Sequence, residues 1–308
     1  LFIRRKEGRR EKRKEQQHSS ELSILFMRSS FLHSSIPLQK MLTFPNAKIN
    51  IGLHITEKRP DGFHNLESCF YPVGWSDALE ILPAEKLSFK STGIEIPGNP
   101  ATNLCLKAYH LVKQDFDIAP VMIHLHKVVP IGAGMGGGSA DCAFTIKTLN
   151  DLFALHLTTE QMENYARQLG SDCAFFIQNR PQYCFGKGDE FAEISLDLSG
   201  KFIVLVNPNI HISTVEAYSG VKPTKTEVDL RAILQKPVNQ WIDSVKNDFE
   251  NHLLPKYPAI QTIKDQLYAH GAAYASMTGS GSTVFGIFDQ EIDLKENFAE
   301  YSVWQGKM

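Results

Sequence analysis

The stretch PIGAGMGGGSADCAFTI, residues 130–146, decides how the rest of the chain is read. Just upstream, Val121, Ile123 and Leu125 alternate with Met122, His124 and His126, a period that predicts a strand. Downstream, Ala140, Ala143, Phe144, Ile146, Leu149, Leu152 and Phe153 recur at helical spacing. The glycines therefore stand between a strand and a helix N-terminus. Backbone that carries no Cβ can turn its N–H groups onto one anion, and the dipole of the following helix favours negative charge at that end. The stretch predicts a phosphate cradle, with a purely structural glycine turn as the alternative.

Known anion loops can be told apart by what surrounds them. A Walker A loop needs Lys after its last glycine, and Gly138 follows Gly137 here. Gly132, Gly134 and Gly137 match GxGxxG, but a dinucleotide unit continues into a second parallel strand bearing an acidic residue. Instead, TTEQM at 158–162 reads as the capped start of another helix reaching Leu169. Neither HRD nor DFG occurs, so the protein-kinase set is missing.

A chain of 308 residues with 43% hydrophobic content can bury a large core, and two domains are the natural expectation. The net charge of -2 is unevenly spread. Residues 1–40 carry ten Lys/Arg against four Asp/Glu, leaving 22 against 30 for the rest. An acidic body argues against nucleic acid as the main partner. Five scattered cysteines without a CxxC pair suggest neither a disulfide framework nor a zinc site, which fits a reducing, cytoplasmic compartment. No apolar run approaches the ~18 residues that span a bilayer, so no membrane is expected as partner. Residues 1–40 are charged, then Ser-rich, without apolar periodicity, and predict a disordered leader before Met41. Glu7, Glu11, Glu15 and Glu21 count against an organellar transit peptide.

Elsewhere, Ala47, Ile49, Ile51, Leu53 and Ile55 alternate with Lys48, Asn50, Gly52 and His54, predicting a half-buried strand with Lys48 and Asn50 on one face. RPDG at 59–62 is a turn that presents Phe63 and His64. Gly170 caps the helix ending at Leu169, and Asp172 stands before an apolar run at 173–177 that reads as a strand. GKGDE at 186–190 is a tight turn, 202–206 a buried strand, and STVE at 213–216 a capping-box start. Helical patterns surround Trp241, Val245 and Phe249, and again Ile260, Ile263 and Leu267. A second small-residue loop, TGSGS at 278–282, lies between strand-like segments. Two such loops in one chain point to a single site between two domains.

Three blocks in this order, AKIN at 47–50, PIGAGMGGGSADCA at 130–143 and MTGSGSTVF at 277–285, resemble the GHMP kinase superfamily. FPNAKINIGLHITEKRPDGFHNLES at 44–68, LGSDCAFFI at 169–177 and NDFE at 247–250 are similar to its branch acting on a cytidine diphosphate-linked polyol. The resemblance spans essentially 41–288 and implies an α+β, two-domain GHMP kinase fold: a ribosomal-protein-S5-like N-terminal domain (41–195) and a ferredoxin-like C-terminal domain (196–308), with the active site between them. It implies ATP and Mg2+, phosphorylation of the 2-hydroxyl of the polyol in the non-mevalonate route to isopentenyl diphosphate, and a monomer or weak homodimer. Other small-molecule GHMP kinases, acting on homoserine, mevalonate or a sugar, are the alternative, and a nucleotide-binding regulator without catalysis is a further one.

By the same resemblance, Pro130, Ile131, Gly132, Ala133, Gly134, Met135, Gly136, Gly137, Gly138, Ser139 and Ala140 wrap the ATP phosphates, with Asn103 and Lys127 near the nucleotide. Lys48 and Asp172 match the catalytic pair, Asn50 accompanies Lys48, and His64 matches the residue that reads the cytosine edge. Phe63 and Tyr218 are placed to stack on the base. No metal ligand is assigned to the protein. Cys173 and Ala174 depart from the usual Val-Pro or Ile-Pro after Asp172, and Lys187 replaces an apolar residue. The chemistry is consistent with this, since phosphoryl transfer draws mostly on positioning and charge neutralisation. A carboxylate such as Asp172 can orient a hydroxyl and accept its proton late in the transfer.

Overall fold

The computed structural model describes residues 41–225 and 229–308; the expected leader, 1–40, lies outside the described residues. The chain runs β1 (Leu42–Thr43), β2 (Asn46–Lys58), β3 (His64–Ser76), β4 (Ala78–Pro83), β5 (Ser88–Gly93), α1 (Leu104–Asp115), β6 (Val121–Lys127), α2 (Gly137–Leu152), α3 (Thr159–Leu169), α4 (Phe175–Gln178), β7 (Gln182–Phe185) and β8 (Glu190–Glu193). It continues with β9 (Phe202–Asn207), α5 (Thr214–Ser219), α6 (Leu230–Leu234), α7 (Glu250–Lys256), α8 (Pro258–Ala269), β10 (Tyr274–Met277), β11 (Val284–Phe288) and β12 (Ser302–Lys307).

Three four-stranded sheets result, ordered β1-β4-β6-β5, β2-β3-β7-β8 and β10-β11-β9-β12. The first two use residues before 195 and the third only residues after it. Every pairing is antiparallel except β5 with β6, which α1 joins as a crossover. The apolar side of β6 is buried and its histidine side is not, as the alternation predicts. The start of α3 carries the reciprocal bonds of a capping box between Thr158 and Gln161.

Four sequence expectations need correction. The strand through Lys48 is not half-buried: from Ala47 to Ile55 both faces are covered. Its alternation is also broken, because Gly52, at φ +69°, is an extra residue between the pairs Ile51↔Cys69 and Leu53↔Ser68. Such a bulge turns the following side chains to the opposite face. Ala47, Ile49 and Ile51 thus enter one hydrophobic core, while Leu53 and Ile55 enter the other with Phe175 and Phe249. The bulge is how one strand serves two cores.

The apolar run after Asp172 is helical turn, not strand, with Phe175–Gln178 forming α4. A five-residue apolar run is too short for a period to distinguish the two, and burial of Phe175 and Phe176 selected the helix. The segment holding Trp241, Val245 and Phe249 is a succession of turns. All three side chains are buried as a helix would bury them, but only one helical bond forms, Val245 N to Trp241 O at 2.8 Å. The backbone then leaves to pair with β2, Leu53 N donating to Lys246 O and Asp248 N to Leu53 O, both at 2.8 Å. At 213–216 only half the predicted capping box forms: Ser213 accepts from Glu216 N, while the Glu216 carboxylate accepts from Lys256 and Tyr257.

Candidate active site

The glycine loop forms because three of its residues adopt backbone conformations that side chains disfavour. Gly132, Gly134 and Gly136 all have positive φ. A Cβ on Gly134 would lie 2.1 Å from Thr278 O, so the two small-residue loops touch backbone to backbone. The first helical bond of α2 runs from Ala140 N to Gly136 O (2.9 Å), which leaves the N–H groups of Gly137, Gly138 and Ser139 without intrahelical partners. They open on a cavity of about 620 Å³ that Pro130, Ile131, Gly132, Ala133 and Asn103 also line. Met135 and Ala140 are buried instead, in separate cores. Met135 is the loop's anchor, its carbonyl accepting Lys48 N at 2.9 Å. Asn103 caps α1 with its side chain, accepting Cys105 N at 2.9 Å.

Lys127 also faces this cavity, but its charge is already engaged. Its Nζ is buried between Asp77 Oδ2 and Asp141 Oδ2, the latter at 2.8 Å. Burial works against the ammonium, yet the Asp141 and Asp77 carboxylates overcome that and hold it above its ordinary value. Asp77 Oδ1 accepts Val128 N (2.6 Å) and Val129 N (2.8 Å), so the triad also fixes the chain entering the glycine loop. Sequence reading missed both carboxylates. A buried lysine at a strand end calls for an acidic partner, but nothing in the spacing says which one.

A second cavity, about 680 Å³, shares Gly134, Gly136, Thr214 and Ser280 with the first. Where they meet, Lys48 Nζ donates to Asn50 Oδ1 (2.5 Å) and Gly134 O (3.1 Å), lies 3.5 Å from Asp172 Oδ2 and sits 4.7 Å from the Phe70 ring centre. The lysine side chain is 4% exposed and that of Asp172 34%, so the amine is fixed while the carboxylate faces the cavity. Asn50 is fixed in turn by Ser68, whose hydroxyl accepts from Asn50 Nδ2 (2.9 Å) and donates to the bulge carbonyl Gly52 O (2.6 Å). Thr278 completes the junction, its hydroxyl accepting Asn50 N (2.9 Å) and donating to Gly134 O (3.2 Å). Behind it, Asn247 Nδ2 donates to Met277 O (2.7 Å) and Gly279 O (2.9 Å), which explains an asparagine in the NDFE block.

At the far end of this cavity His64 and Tyr218 stack face to face, ring centres 4.9 Å apart. Phe63 is exposed with Lys187 Nζ 5.3 Å from its ring centre. The structure thus pairs Tyr218 with His64 itself, whereas the sequence reading set Tyr218 and Phe63 around a base. Burial, with Lys58 adding, lowers the His64 imidazole below its ordinary range. Burial and the nearby Asp172 charge push the Tyr218 phenol up to about 12. All five cysteines are free and buried. Among the described residues no three His, Cys, Asp or Glu side chains cluster as a metal site, and no helix is long and apolar enough to cross a membrane.

Residues 103–180 match the N-terminal domain of the GHMP kinases and residues 230–301 the C-terminal domain. The 4-diphosphocytidyl-2-C-methyl-D-erythritol kinase of Cytophaga hutchinsonii is 55% identical over 250 residues, covering 81% of this chain and 93% of its own. The kinase of the same name from Bacteroides fragilis is 51% identical over 255 residues, covering 82% and 93%. A crystal structure of 4-(cytidine 5'-diphospho)-2C-methyl-D-erythritol kinase superposes with a TM-score of 0.75 at 26% identity, covering 86% of this chain and 98% of that one. A homoserine kinase from Cytophaga hutchinsonii, at 13% identity and TM-score 0.61, shares the fold. The chain is an ATP-dependent small-molecule kinase of the GHMP superfamily and belongs, within it, to the 4-diphosphocytidyl-2-C-methyl-D-erythritol kinase family.

Proposed function

We propose that the chain transfers the γ-phosphoryl group of ATP to the 2-hydroxyl of 4-diphosphocytidyl-2-C-methyl-D-erythritol, a step of the non-mevalonate route to isopentenyl diphosphate in the cytoplasm, acting between halves 41–195 and 196–308. The observation that carries it is the junction of the two cavities, where Lys48 reaches Asp172, Asn50 and the glycine-loop carbonyl of Gly134 at once. In this reading the glycine-loop cavity takes the nucleotide, its phosphates against the free N–H groups of Gly137, Gly138 and Ser139. The other takes the acceptor, with the base toward Phe63, His64 and Tyr218. Magnesium, which neutralises phosphate charge when bound, would be held by the phosphates and water, a common arrangement for this ion.

The acceptor oxygen forms its bond to the γ-phosphorus as the bond to the leaving oxygen of ADP breaks. Asp172 orients that hydroxyl and takes its proton late, when the oxygen has become acidic. Lys48 cannot swing toward solvent, being fixed by three oxygens, so its charge is already in position when phosphoryl negative charge migrates. Binding of the base, remote from the reacting atoms, holds the hydroxyl in line.

The test is ADP release by purified protein with the cytidine conjugate, its uridine analogue, 2-C-methyl-D-erythritol 4-phosphate, mevalonate and homoserine. The cytidine conjugate should be turned over fastest and the base-free polyol very poorly. Preferential turnover of mevalonate or homoserine would refute the assignment.

A further inference from the structure

Beneath the glycine-loop cavity two carboxylates share one ammonium. Among the described residues Lys127 is the only cation paired with Asp77 and Asp141, all three are buried, and the cluster therefore holds a surplus negative charge when both acids are ionised. The two acids are not equivalent. Asp77 Oδ1 accepts two backbone N–H groups and its Oδ2 faces the ammonium, so each of its oxygens is used. Asp141 Oδ2 accepts from the ammonium, while Asp141 Oδ1 is buried with no hydrogen-bond partner among the described residues. An unpartnered buried carboxylate oxygen is costly, and a proton or a donor must satisfy it. Asp141 also lines the cavity, one turn inside the helix whose N-terminus closes the glycine loop.

We propose that Asp141 is a positioning residue that takes up a proton when nucleotide binds, so that the cluster holding Lys127 and the glycine loop is neutral under a bound polyphosphate. This rests on the reading of that cavity as the nucleotide site. The surplus charge opposes a second, larger anion placed above it, and protonation of Asp141 removes the opposition without disturbing the Asp77–Lys127 pair. The groups around Asp141 are Lys127 at the end of β6, Asp77 between β3 and β4, and the thiols of Cys105 on α1 and Cys142 on α2. Burial, with Asp77 adding and Lys127 opposing, pushes the Asp141 carboxyl up to about 7, where such uptake can be seen.

The sign follows from linkage. A bound anion raises the affinity of Asp141 for its proton, so nucleotide affinity is highest and flat in acid. It falls as pH rises through the value of the free enzyme, by up to tenfold per pH unit. The measurement is titration calorimetry of ADP binding to the full-length protein from pH 6 to 8.5, in two buffers of different ionisation enthalpy, which counts protons directly. Wild type should take up a sizeable fraction of a proton near pH 7.5. Asp141→Asn, an uncharged isostere, should take up less by that amount and should bind ADP more tightly than wild type at pH 8.5. Equal proton counts in wild type and variant would overturn the proposal. So would a wild-type count of zero after correction for ADP itself, a result that needs no variant to fold. Failure of wild type to bind ADP at any pH would instead overturn the nucleotide reading of the cavity.

Discussion

The two cavities are built from different materials. The cavity proposed for the nucleotide has one wall of main chain, with positive-φ glycines and a helix N-terminus, and a lysine whose charge is already shared by two carboxylates. The cavity proposed for the acceptor is lined by residues drawn from 48 to 280 in the sequence, with a buried lysine fixed by three oxygens and, paired with it, an aspartate that is one-third exposed. A cradle of N–H groups recognises phosphate whatever it is attached to, while a pocket of rings and one carboxylate recognises a particular acceptor. On the proposed function, generic affinity lies in the first and specificity with proton handling in the second, and substitutions in the two should fail in different ways.

The largest effect belongs to the partly exposed carboxylate of the Lys48–Asp172 pair. Asp172→Asn should lower kcat by roughly 10² to 10⁴ with ATP affinity little changed, measured as ADP release at saturating acceptor. Lys48→Met should lose a similar factor, and the double variant much less than the product, because the two act as a unit. Near wild-type turnover in either single variant would remove it from the mechanism. Next is Gly134→Ala, whose added Cβ must push away Thr278 O in a backbone conformation that alanine avoids. Strain of about 1–3 kcal/mol and separation of the loops should weaken ATP binding and lower kcat together, by about 10²-fold. A variant that hurts only the acceptor KM would break the division of labour.

A smaller change is expected at the ring pair. His64→Ala should erode the preference for cytidine over uridine conjugate by about 1–3 kcal/mol and leave ATP binding alone. Equal rates for both conjugates in wild type would dismiss His64 as a reader of the base. The smallest effect is on pH. His64 is lowered in the folded state, so its stabilising neutral form is fully present above the ordinary imidazole range near ~6.5 and is lost as pH falls through the depressed value. Acceptor KM should therefore be flat above about 6.5 and rise in acid, and His64→Ala should abolish that rise.

The division between main chain and side chain also governs what could be read before folding. Glycines between a strand period and a helix period announce a cradle, because no other residue gives backbone that freedom. The strand β6, the helices α2, α3 and α8, and the second loop at 278–282 follow from local periods and caps that need no distant partner. RPDGFH and LGSDCAFFI pointed to the family through resemblance, and the similarity of whole chains agrees.

What tertiary structure alone decided is of another kind. Gly52 in the sequence is one more small residue, yet only pairing with β3 makes it the bulge that divides the strand between two cores. Trp241, Val245 and Phe249 have a helix's spacing, and the backbone bonds that Leu53 offers pull the chain out of it. Asp77, 50 residues from Lys127, and Asn247, 32 from Gly279, are joined to them by hydrogen bonds that no local spacing encodes. Local periodicity is set by each residue's own backbone preferences and apolar face. The neutralisation of a buried charge is set by whichever chain arrives opposite it, and that is known only once the sheets have packed.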